Sequence, residues 1–260
     1  MNTAELIKHY EQGNSLAATA KRYKTSNYTV KKILKDNNIR VRTRKEQLVL
    51  ENKKRAKKIN HNYFSSLTLE NSYYLGFLAA DGTVRKKKNE IKLSLSAVDK
   101  EFLIEFRKKL QSEHKISEYE TSDGFQCVSL TFTSVLIKNE LAKYSIVPNK
   151  TYIGITMKNI PDKFKLAFIK GYFDGDGSFS FNKKTKQCAI KIASYKKGIL
   201  EEINEYFGCS GKIYKVRENL YSLEFSTVPA EEIMKKFYEL DTPCLQRKKN
   251  KFDSYLKLRK

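Results

Sequence analysis

Two aspartates, Asp81 and Asp176, lie near the ends of two similar nine-residue segments of the sequence. The segments read YLGFLAADG at 74–82 and IKGYFDGDG at 169–177, and they align without a gap. If each segment is a helix, its aspartate stands at the C-terminal end, where a carboxylate opposes the helix dipole unless a cation neutralises it. Proteins typically hold Mg²⁺ by one or two carboxylates, with waters and substrate phosphates completing the shell. The pair therefore predicts a phosphodiester-cleaving site that uses Mg²⁺ or another divalent cation such as Mn²⁺.

Glycine recurs at the same place in both predicted helices, five residues before each aspartate, as Gly76 and Gly171. Glycine inside a helix costs roughly 1 kcal/mol relative to alanine, so its presence in both copies needs a compensating reason. Close approach of the two helix backbones supplies one. We expect a helix interface at Gly76 and Gly171 that brings Asp81 and Asp176 side by side, with metal ions relieving their repulsion.

The chain downstream of each aspartate repeats one predicted order of elements, namely two strands, a helix, two strands and a helix. The strands of the first copy are predicted at 83–87, 90–96, 115–120 and 125–132, and its helices at 100–110 and 135–143. The strands of the second copy are predicted at 178–183, 187–194, 212–216 and 220–226, and its helices at 197–207 and 230–240. Two such halves are expected to pack about a pseudo-twofold axis.

Both nine-residue segments resemble the motifs of the LAGLIDADG homing endonucleases, in the single-chain form with two motifs. The resemblance covers about 67–260 and implies an α+β fold of tandem pseudo-twofold αββαββα repeats, at 67–160 and 161–260. Two antiparallel sheets would form a saddle over the DNA major groove, with Asp81 and Asp176 as metal ligands, one for each strand cut. The resemblance also implies a monomer that acts on double-stranded DNA, in the manner of the nucleases of intron homing.

The family places a basic residue near the end of each repeat, close to the metals. The matching candidates are Lys150 in Val-Pro-Asn-Lys and Lys248 in Leu-Gln-Arg-Lys, 69 and 72 residues after the two aspartates. Such a lysine stabilises developing phosphate charge or positions the attacking water. The second copy departs from the first by carrying Asp174 where the first has Ala79, and we treat Asp174 as secondary.

The charge of the chain also favours a nucleic acid partner, because 51 basic residues outnumber 29 acidic ones and give a formal net charge of +22. Residues 1–40 resemble a helix-turn-helix DNA-binding unit, with Ser15 as an N-cap. Lys24 departs from that motif, since it occupies a turn position where glycine is usual. The DNA contacts expected on the third helix are Asn27, Tyr28, Lys31 and Lys32. A small helical hairpin that binds nothing is the alternative.

Residues 41–66 are dominated by charge and are predicted to form a basic linker that becomes ordered on DNA. Arg42 and Arg44 are expected to contact phosphates, which adds salt-dependent affinity without base information. A solvated linker helix is the alternative interpretation of this segment.

Alternation along the predicted strands separates a core face from an exposed one that could read DNA. Ile91, Leu93 and Leu95 are expected to point inward, as are Ile190 and Ile192. The outward residues expected to contact DNA are Thr83, Arg85, Lys87, Lys92 and Ser94 in the first copy, and Ser178, Ser180, Asn182 and Lys191 in the second. A merely solvated sheet face would show the same pattern.

Several other classes of function lack support in the sequence. No apolar run approaches the roughly 20 residues of a membrane-spanning helix, and the first ten residues lack the apolar stretch of a signal peptide. We therefore expect an intracellular protein with no membrane partner. The sequence shows no nucleotide-binding loop, no complete EF-hand loop and no histidine or cysteine spacing typical of a metal site.

Two rival functions stay open. A non-cleaving transcriptional regulator of the same fold would be expected to lose the acids, whereas both aspartates and both lysines are present here. An RNA-splicing maturase would reuse the same saddle to bind a structured intron, and no feature of the sequence excludes it.

Overall fold

The N-terminal part of the chain is helical in the computed structural model, which describes residues 2–259. Four helices form in order: α1 (Thr3–Glu11), α2 (Leu16–Arg22), α3 (Asn27–Asp36) and α4 (Arg44–Arg55). Ser15 caps α2 as predicted, because its side chain accepts a hydrogen bond from the Ala18 amide. Lys24, in the turn before α3, adopts a φ of 50°, the left-handed conformation for which glycine is usual. Leu6, Val30 and Leu34 are fully buried in a small core of their own.

The first compact unit extends to Lys57, beyond the predicted boundary at residue 40. The reason lies in Arg42, whose guanidinium donates to the carbonyls of Tyr10 and Asn14 at 2.8 and 2.7 Å and stacks on the Tyr10 ring. Thr43 then begins α4 with a capping box, in which its side chain and that of Glu46 satisfy each other's backbone amides. Much of the segment predicted as a linker is therefore an ordered helix of the N-terminal unit.

The second compact unit spans residues 58–260, of which the structure describes 58–259. Its first repeat contains α5 (Leu69–Asp81), β1 (Gly82–Val84), β2 (Glu90–Ser96), a 3₁₀ turn (Ala97–Asp99), α6 (Lys100–Lys109), β3 (Ile116–Glu120), β4 (Gln126–Thr133), α7 (Val135–Lys143) and α8 (Lys150–Ile153). Its second repeat contains α9 (Asp162–Asp176), β5 (Gly177–Phe181), β6 (Cys188–Ser194), α10 (Lys197–Tyr206), β7 (Lys212–Arg217), β8 (Leu220–Ser226), α11 (Val228–Glu239) and α12 (Gln246–Arg259). The predicted α+β class with a tandem αββαββα order is confirmed, with α8 and α12 as additions.

Each repeat contributes one four-stranded antiparallel sheet, with strand orders β1-β2-β4-β3 and β5-β6-β8-β7. The registers correspond, because Gly82 pairs with Leu93 in the first sheet as Gly177 pairs with Ile192 in the second. The predicted inward residues of β2 and β6 are buried, so the alternation identified the core face correctly. None of the helices in residues 2–259 has the length and apolar character needed to cross a membrane.

Candidate functional site

The centre of the site is the contact between α5 and α9, the two helices that end at Asp81 and Asp176. A Cβ added to Gly76 would lie 1.9 Å from the backbone oxygen of Phe168, and one added to Gly171 would lie 1.9 Å from that of Tyr73. No heavy atom can approach a backbone oxygen that closely, so only glycine fits at these two positions. The backbones therefore touch, and the helix ends are held at a fixed separation.

Asp81 and Asp176 end α5 and α9 and lie next to each other at the protein surface. Their proximity is seen at Gly175, where an added Cβ would lie 2.4 Å from the Ala80 Cβ and 3.2 Å from Oδ2 of Asp81. Crowding by protein atoms weakens the solvation of both carboxylates, and this loss of water raises the pKa of Asp81. The same loss, together with the charge of Asp81, raises the pKa of Asp176 to about 6. The paired carboxylates thus form a site that favours added positive charge.

Lys150 and Lys248 approach the same helix ends from the two repeats. Lys150 is 7% exposed, and its Nζ donates to the carbonyls of Ala79 and Ala80, both at 2.6 Å. Lys248 is 6% exposed, and its Nζ donates to carbonyls at the end of α9, those of Phe173, Asp174 and Gly177, at 2.6, 2.8 and 2.5 Å. Lys150 therefore satisfies carbonyls at the C-terminal end of α5, and Lys248 does the same for α9. Each ammonium charge also offsets the negative end of the helix dipole.

Burial lowers the pKa of the Lys248 amine to about 8 and also lowers that of Lys150. The two aspartates act in the opposite direction and favour the charged form of both lysines. The structure therefore brings together all four residues that the sequence predicted for the centre, two acids and two bases.

Asp174 lies apart from this group, although it is only two residues from Asp176. Its carboxylate is 1% exposed, and Oδ2 accepts hydrogen bonds from the Tyr73 hydroxyl at 2.6 Å and the Leu245 amide at 3.0 Å. Tyr73 belongs to α5 and Asp174 to α9, while Leu245 precedes Lys248 by three residues. This carboxylate therefore ties the segment that carries Lys248 to both α5 and α9. Asp174 is a structural anchor for the site and has no place among ligands at the surface.

We expect Asp174→Ala to lower the free energy of unfolding by about 2–3 kcal/mol, because it leaves the buried Tyr73 hydroxyl and Leu245 amide without an acceptor. Asp174→Asn keeps one acceptor oxygen and should lose less. Urea unfolding measures both, with Asp162→Ala as the control, since Asp162 lies exposed at the start of the same helix and pairs only with Lys165 at the surface. An Asp174→Ala protein as stable as the control would contradict this account of the network.

The surroundings of the two aspartates differ in ways that the sequence prediction missed. Tyr172 lies one helical turn before Asp176, and its hydroxyl acts to lower the pKa of the Asp176 carboxyl, against the dominant effect of lost solvation. The aligned residue before Asp81 is Phe77, which has no hydroxyl. Tyr172, Asp176 and Lys150 line a small cavity of about 40 Å³. The alignment of the two segments already shows the tyrosine in one copy and the phenylalanine in the other. Because residues four apart share a helix face, it also places Tyr172 on the side of Asp176.

Asp81 has a different neighbour in Arg247, the residue before Lys248. The Nε of Arg247 donates to both carboxylate oxygens of buried Asp99, at 3.1 and 3.0 Å. The guanidinium charge acts to lower the pKa of Asp81, against the dominant effect of lost solvation. No sequence signal links Asp99 and Arg247, which lie 148 residues apart and meet only through the packing of the two repeats.

The predicted DNA-contact residues of the sheets lie on the face opposite the core, but several have partners within the protein. Lys191 pairs with Glu224 at 3.2 Å, and Arg85 pairs with Glu90 at 2.5 Å. Asn182 accepts hydrogen bonds from two backbone amides of its own turn, and Lys92 lies over the Tyr119 ring at 4.9 Å. The predicted residues Thr83, Ser94, Ser178 and Ser180 lie on the strand faces opposite the core, and Lys87 lies in the turn after β1. Strand pairing adds Thr131, Ser222 and Glu224 to those faces.

The predicted contacts of the N-terminal unit divide into two groups. Asn27, Tyr28, Lys31 and Lys32 are exposed on α3, with Tyr28 77% exposed. Arg44 is exposed at the start of α4. Arg42, in contrast, is partly buried and donates to backbone carbonyls within the unit.

Comparison with known proteins identifies relatives of the second unit. Residues 163–240 match a family model described as the LAGLIDADG-like domain. The solved structure of meganuclease I-SmaMI bound to uncleavable DNA aligns with a TM-score of 0.52 and 15% identity, over 74% of this chain and 90% of that one. The LAGLIDADG meganuclease I-AabMI bound to uncleaved DNA also aligns with a TM-score of 0.52, at 12% identity over 74% of this chain and 90% of that one. At sequence identities this low, the structural alignments show a shared fold and nothing more.

Two proteins of Methanocaldococcus jannaschii are similar in sequence. An uncharacterized protein is 28% identical over 203 residues, which cover 74% of this chain and 72% of that protein. The DNA-directed RNA polymerase subunit Rpo1C is 25% identical over 215 residues, which cover 78% of this chain. The match spans only 23% of the polymerase subunit.

Proposed function

We propose that this chain, whose residues 163–240 match the LAGLIDADG-like domain, is a two-motif, single-chain LAGLIDADG endonuclease that cuts both strands of double-stranded DNA at a specific site. The observation that carries the proposal is the convergence of Asp81 and Asp176 at touching helix ends, with Lys150 and Lys248 beside them. Four charged groups are thus held at one surface point by a glycine contact that tolerates no other residue. A protein that only bound DNA would have no need of paired carboxylates at that point.

The residues present fit a divalent cation. Asp81 and Asp176 offer oxygen ligands, and lost solvation raises the pKa of both, with the charge of Asp81 adding to the effect at Asp176. Within residues 2–259 no cluster of three or more His, Cys, Asp or Glu side chains could hold a metal unaided, so DNA phosphates and water would complete the shell. A bound divalent cation supplies Lewis-acid charge and an activated water for phosphodiester hydrolysis. Mg²⁺ and Mn²⁺ suit this oxygen donor set.

The other residues of the centre have roles that follow from their contacts. Lys150 and Lys248 hold the ends of α5 and α9 in place and put positive charge beside the position of the cut phosphate. Tyr172 lines the same small cavity as Asp176 and offers a hydroxyl there, whereas the aligned residue of the first repeat is Phe77. The exposed faces of the two sheets would contact the DNA on either side of the cut, and the N-terminal unit would bind a further stretch. The protein would act as a monomer within the cell.

The proposal is tested by separating binding from cutting. We would select the duplexes that the protein retains from a randomised-site library in EDTA, and then add Mg²⁺ to the retained pool. The proposal expects one long sequence to be retained and then cut in both strands. Retention of one sequence without cutting would support the regulator instead, and preference for a structured RNA over every duplex would support the maturase.

The N-terminal unit is expected to supply a large electrostatic share of the affinity, because residues 1–57 hold 15 basic and 5 acidic residues. Deleting them leaves the second unit with its own core. We expect the affinity for the retained duplex to fall by roughly 10-fold or more, and its dependence on salt concentration to flatten. Filter binding across a salt series measures both, with Lys31→Ala/Lys32→Ala as a folded comparison. An unchanged salt slope after deletion would show that the unit does not bind DNA.

A further inference from the structure

An exposed apolar pair lies directly beside the catalytic centre. Tyr152 and Ile153 end the short helix α8 and are 65% and 66% exposed. They follow Lys150 by two and three residues, so they share a four-residue helix with a lysine of the site. Exposed apolar groups of this size next to charged residues are typical of a binding surface.

The pair is presented on a rigid support. Lys150 is fixed to α5 by its two hydrogen bonds to the carbonyls of Ala79 and Ala80. On the other side, Gly154 ends α8 with a φ of 104°, and Ile155 is buried. Because both ends are anchored, Tyr152 and Ile153 can neither fold back into the core nor move freely.

The apolar surface is continuous with the Asp176 half of the centre. The rings of Tyr152 and Tyr195 meet edge to face, with centroids 5.1 Å apart. Tyr195 in turn lines the small cavity that contains Asp176 and Lys150. The amine of Lys196 lies 5.9 Å from the centre of the Tyr195 ring and adds positive charge to the rim. A ligand seated on this surface would therefore meet a cation, aromatic rings and the reactive carboxylates together.

The matching position of the second repeat carries polar residues instead. There Lys248 is followed by Lys249, Asn250 and Lys251, which are polar residues within the long helix α12. The apolar pair is thus a feature of one half only, and any effect that it has on a bound duplex will be one-sided.

We propose that Tyr152 and Ile153, supported by Tyr195, form a wedge that enters the minor groove of the bound duplex on the Asp176 side and opens one base step. This inference rests on the proposed function, since its occupant is the DNA that the site cuts. Apolar side chains that enter the minor groove partly unstack a base step and bend the duplex, which exposes its backbone to more protein surface. DNA fits this surface because the exposed amine of Lys196 attracts its phosphates, while its bases can stack against the ring of Tyr152 and contact the side chain of Ile153.

The absence of tryptophan from the chain makes a direct test possible. Tyr152→Trp would place a single fluorescent residue in the wedge, and Leu136→Trp would place one at a similarly exposed position in α7, where Leu136 is 52% exposed. We expect the selected duplex, added in Ca²⁺ to permit binding without relying on cleavage, to change the emission of Trp at position 152 by twofold or more. Emission from position 136 should stay within about a tenth of its value without DNA.

The second measurement uses the duplex as the reporter. The fluorescent base 2-aminopurine, placed at successive positions around the cut, is expected to brighten several-fold at one step when the unaltered protein binds. The Tyr152→Ala/Ile153→Ala protein should lose that brightening and bind roughly 10-fold more weakly, while Val135→Ala/Leu136→Ala serves as the matched control and should keep both. Thermal unfolding of each variant establishes that it is folded.

The outcomes separate this inference from the function on which it rests. Tight binding by the wedge variant with the same brightened base would overturn the wedge and leave the nuclease intact. Equal losses in the wedge variant and its α7 control would also overturn it. Failure of the unaltered protein to retain any duplex would overturn the proposed function, and the wedge with it.

Discussion

Asp81→Asn and Asp176→Asn should each reduce double-strand cleavage by at least roughly 10²–10³-fold while leaving binding largely intact. Asparagine keeps the size of the side chain but removes the charge that attracts a divalent cation. Double-strand cleavage requires both strands to be cut, so the loss of either carboxylate is expected to suffice. The measurement is the rate at which the retained duplex, labelled on both strands, is cut in Mg²⁺.

The control for this prediction is Asp162→Asn, which changes a carboxylate at the opposite end of α9 and should cut at the normal rate. Binding measured in Ca²⁺ shows whether an inactive variant still recognises DNA. Cleavage by either active-site variant at more than about a tenth of the normal rate would remove that aspartate from the proposed metal site.

Asp176→Asn should also affect the unfolding temperature. The pKa of Asp176 in the folded protein, about 6, lies above the ordinary value of 3.8. A raised pKa means that this group favours the folded state at low pH and that its contribution is lost as pH rises through 6. Without metal at pH 8, the Asp176→Asn protein should therefore unfold at a temperature no lower than the normal protein. A lower unfolding temperature would indicate that the charged carboxylate stabilises the fold.

Gly76→Ala and Gly171→Ala should each lower the free energy of unfolding by at least about 3 kcal/mol or prevent folding. The added methyl would stand 1.9 Å from a backbone oxygen of the facing helix, so α5 and α9 would have to separate. Separation would also move Asp81 away from Asp176, and cleavage should be lost in any fraction that folds. Urea unfolding and the cleavage rate measure the two effects.

Gly198→Ala is the matched control, because Gly198 is also helical but has no atom within 4 Å of an added Cβ. We expect that change to stabilise the protein by about 0.5 kcal/mol, since alanine favours the helix and restricts the unfolded chain. If Gly76→Ala proved as harmless as Gly198→Ala, the close contact of α5 and α9 would be contradicted.

The tandem fold could be predicted because the chain repeats itself, and two copies of a pattern support each other where one would be ambiguous. The alternation in β2 and β6 assigned their core faces correctly, since one buried face requires a period of two. Asp81 and Asp176 could be predicted for the same reason, because they occupy the same position in the two copies. Lys150 and Lys248 were predicted from the resemblance to the LAGLIDADG family, which places a basic residue near the end of each repeat.

Asp174 shows what helix geometry adds to such a pattern. Residues two apart on a helix point about 200° apart, so Asp174 and Asp176 must face different sides of α9. The same geometry places Tyr172 on the face of Asp176, and this partner could have been found from the sequence. Asp99 and Arg247 could not, because their pairing depends on how the 3₁₀ turn of the first repeat meets α12 of the second.

Arg42 illustrates a different limit, since charge alone does not tell whether a guanidinium faces solvent or the protein. Its guanidinium donates to the backbone carbonyls of Tyr10 and Asn14 and so fixes the chain before α4. The structure of a segment that is predicted as a charged linker thus follows from contacts with residues about 30 positions earlier.

The most direct test of the central claim is to sequence the new DNA ends produced from a randomised-site library in Mg²⁺, with the Asp81→Asn/Asp176→Asn protein treated in parallel. The account predicts discrete ends on both strands at one long sequence, present with the normal protein and absent with the double variant. Ends that appear equally with both proteins, or no ends from a protein that still retains one sequence, would contradict it.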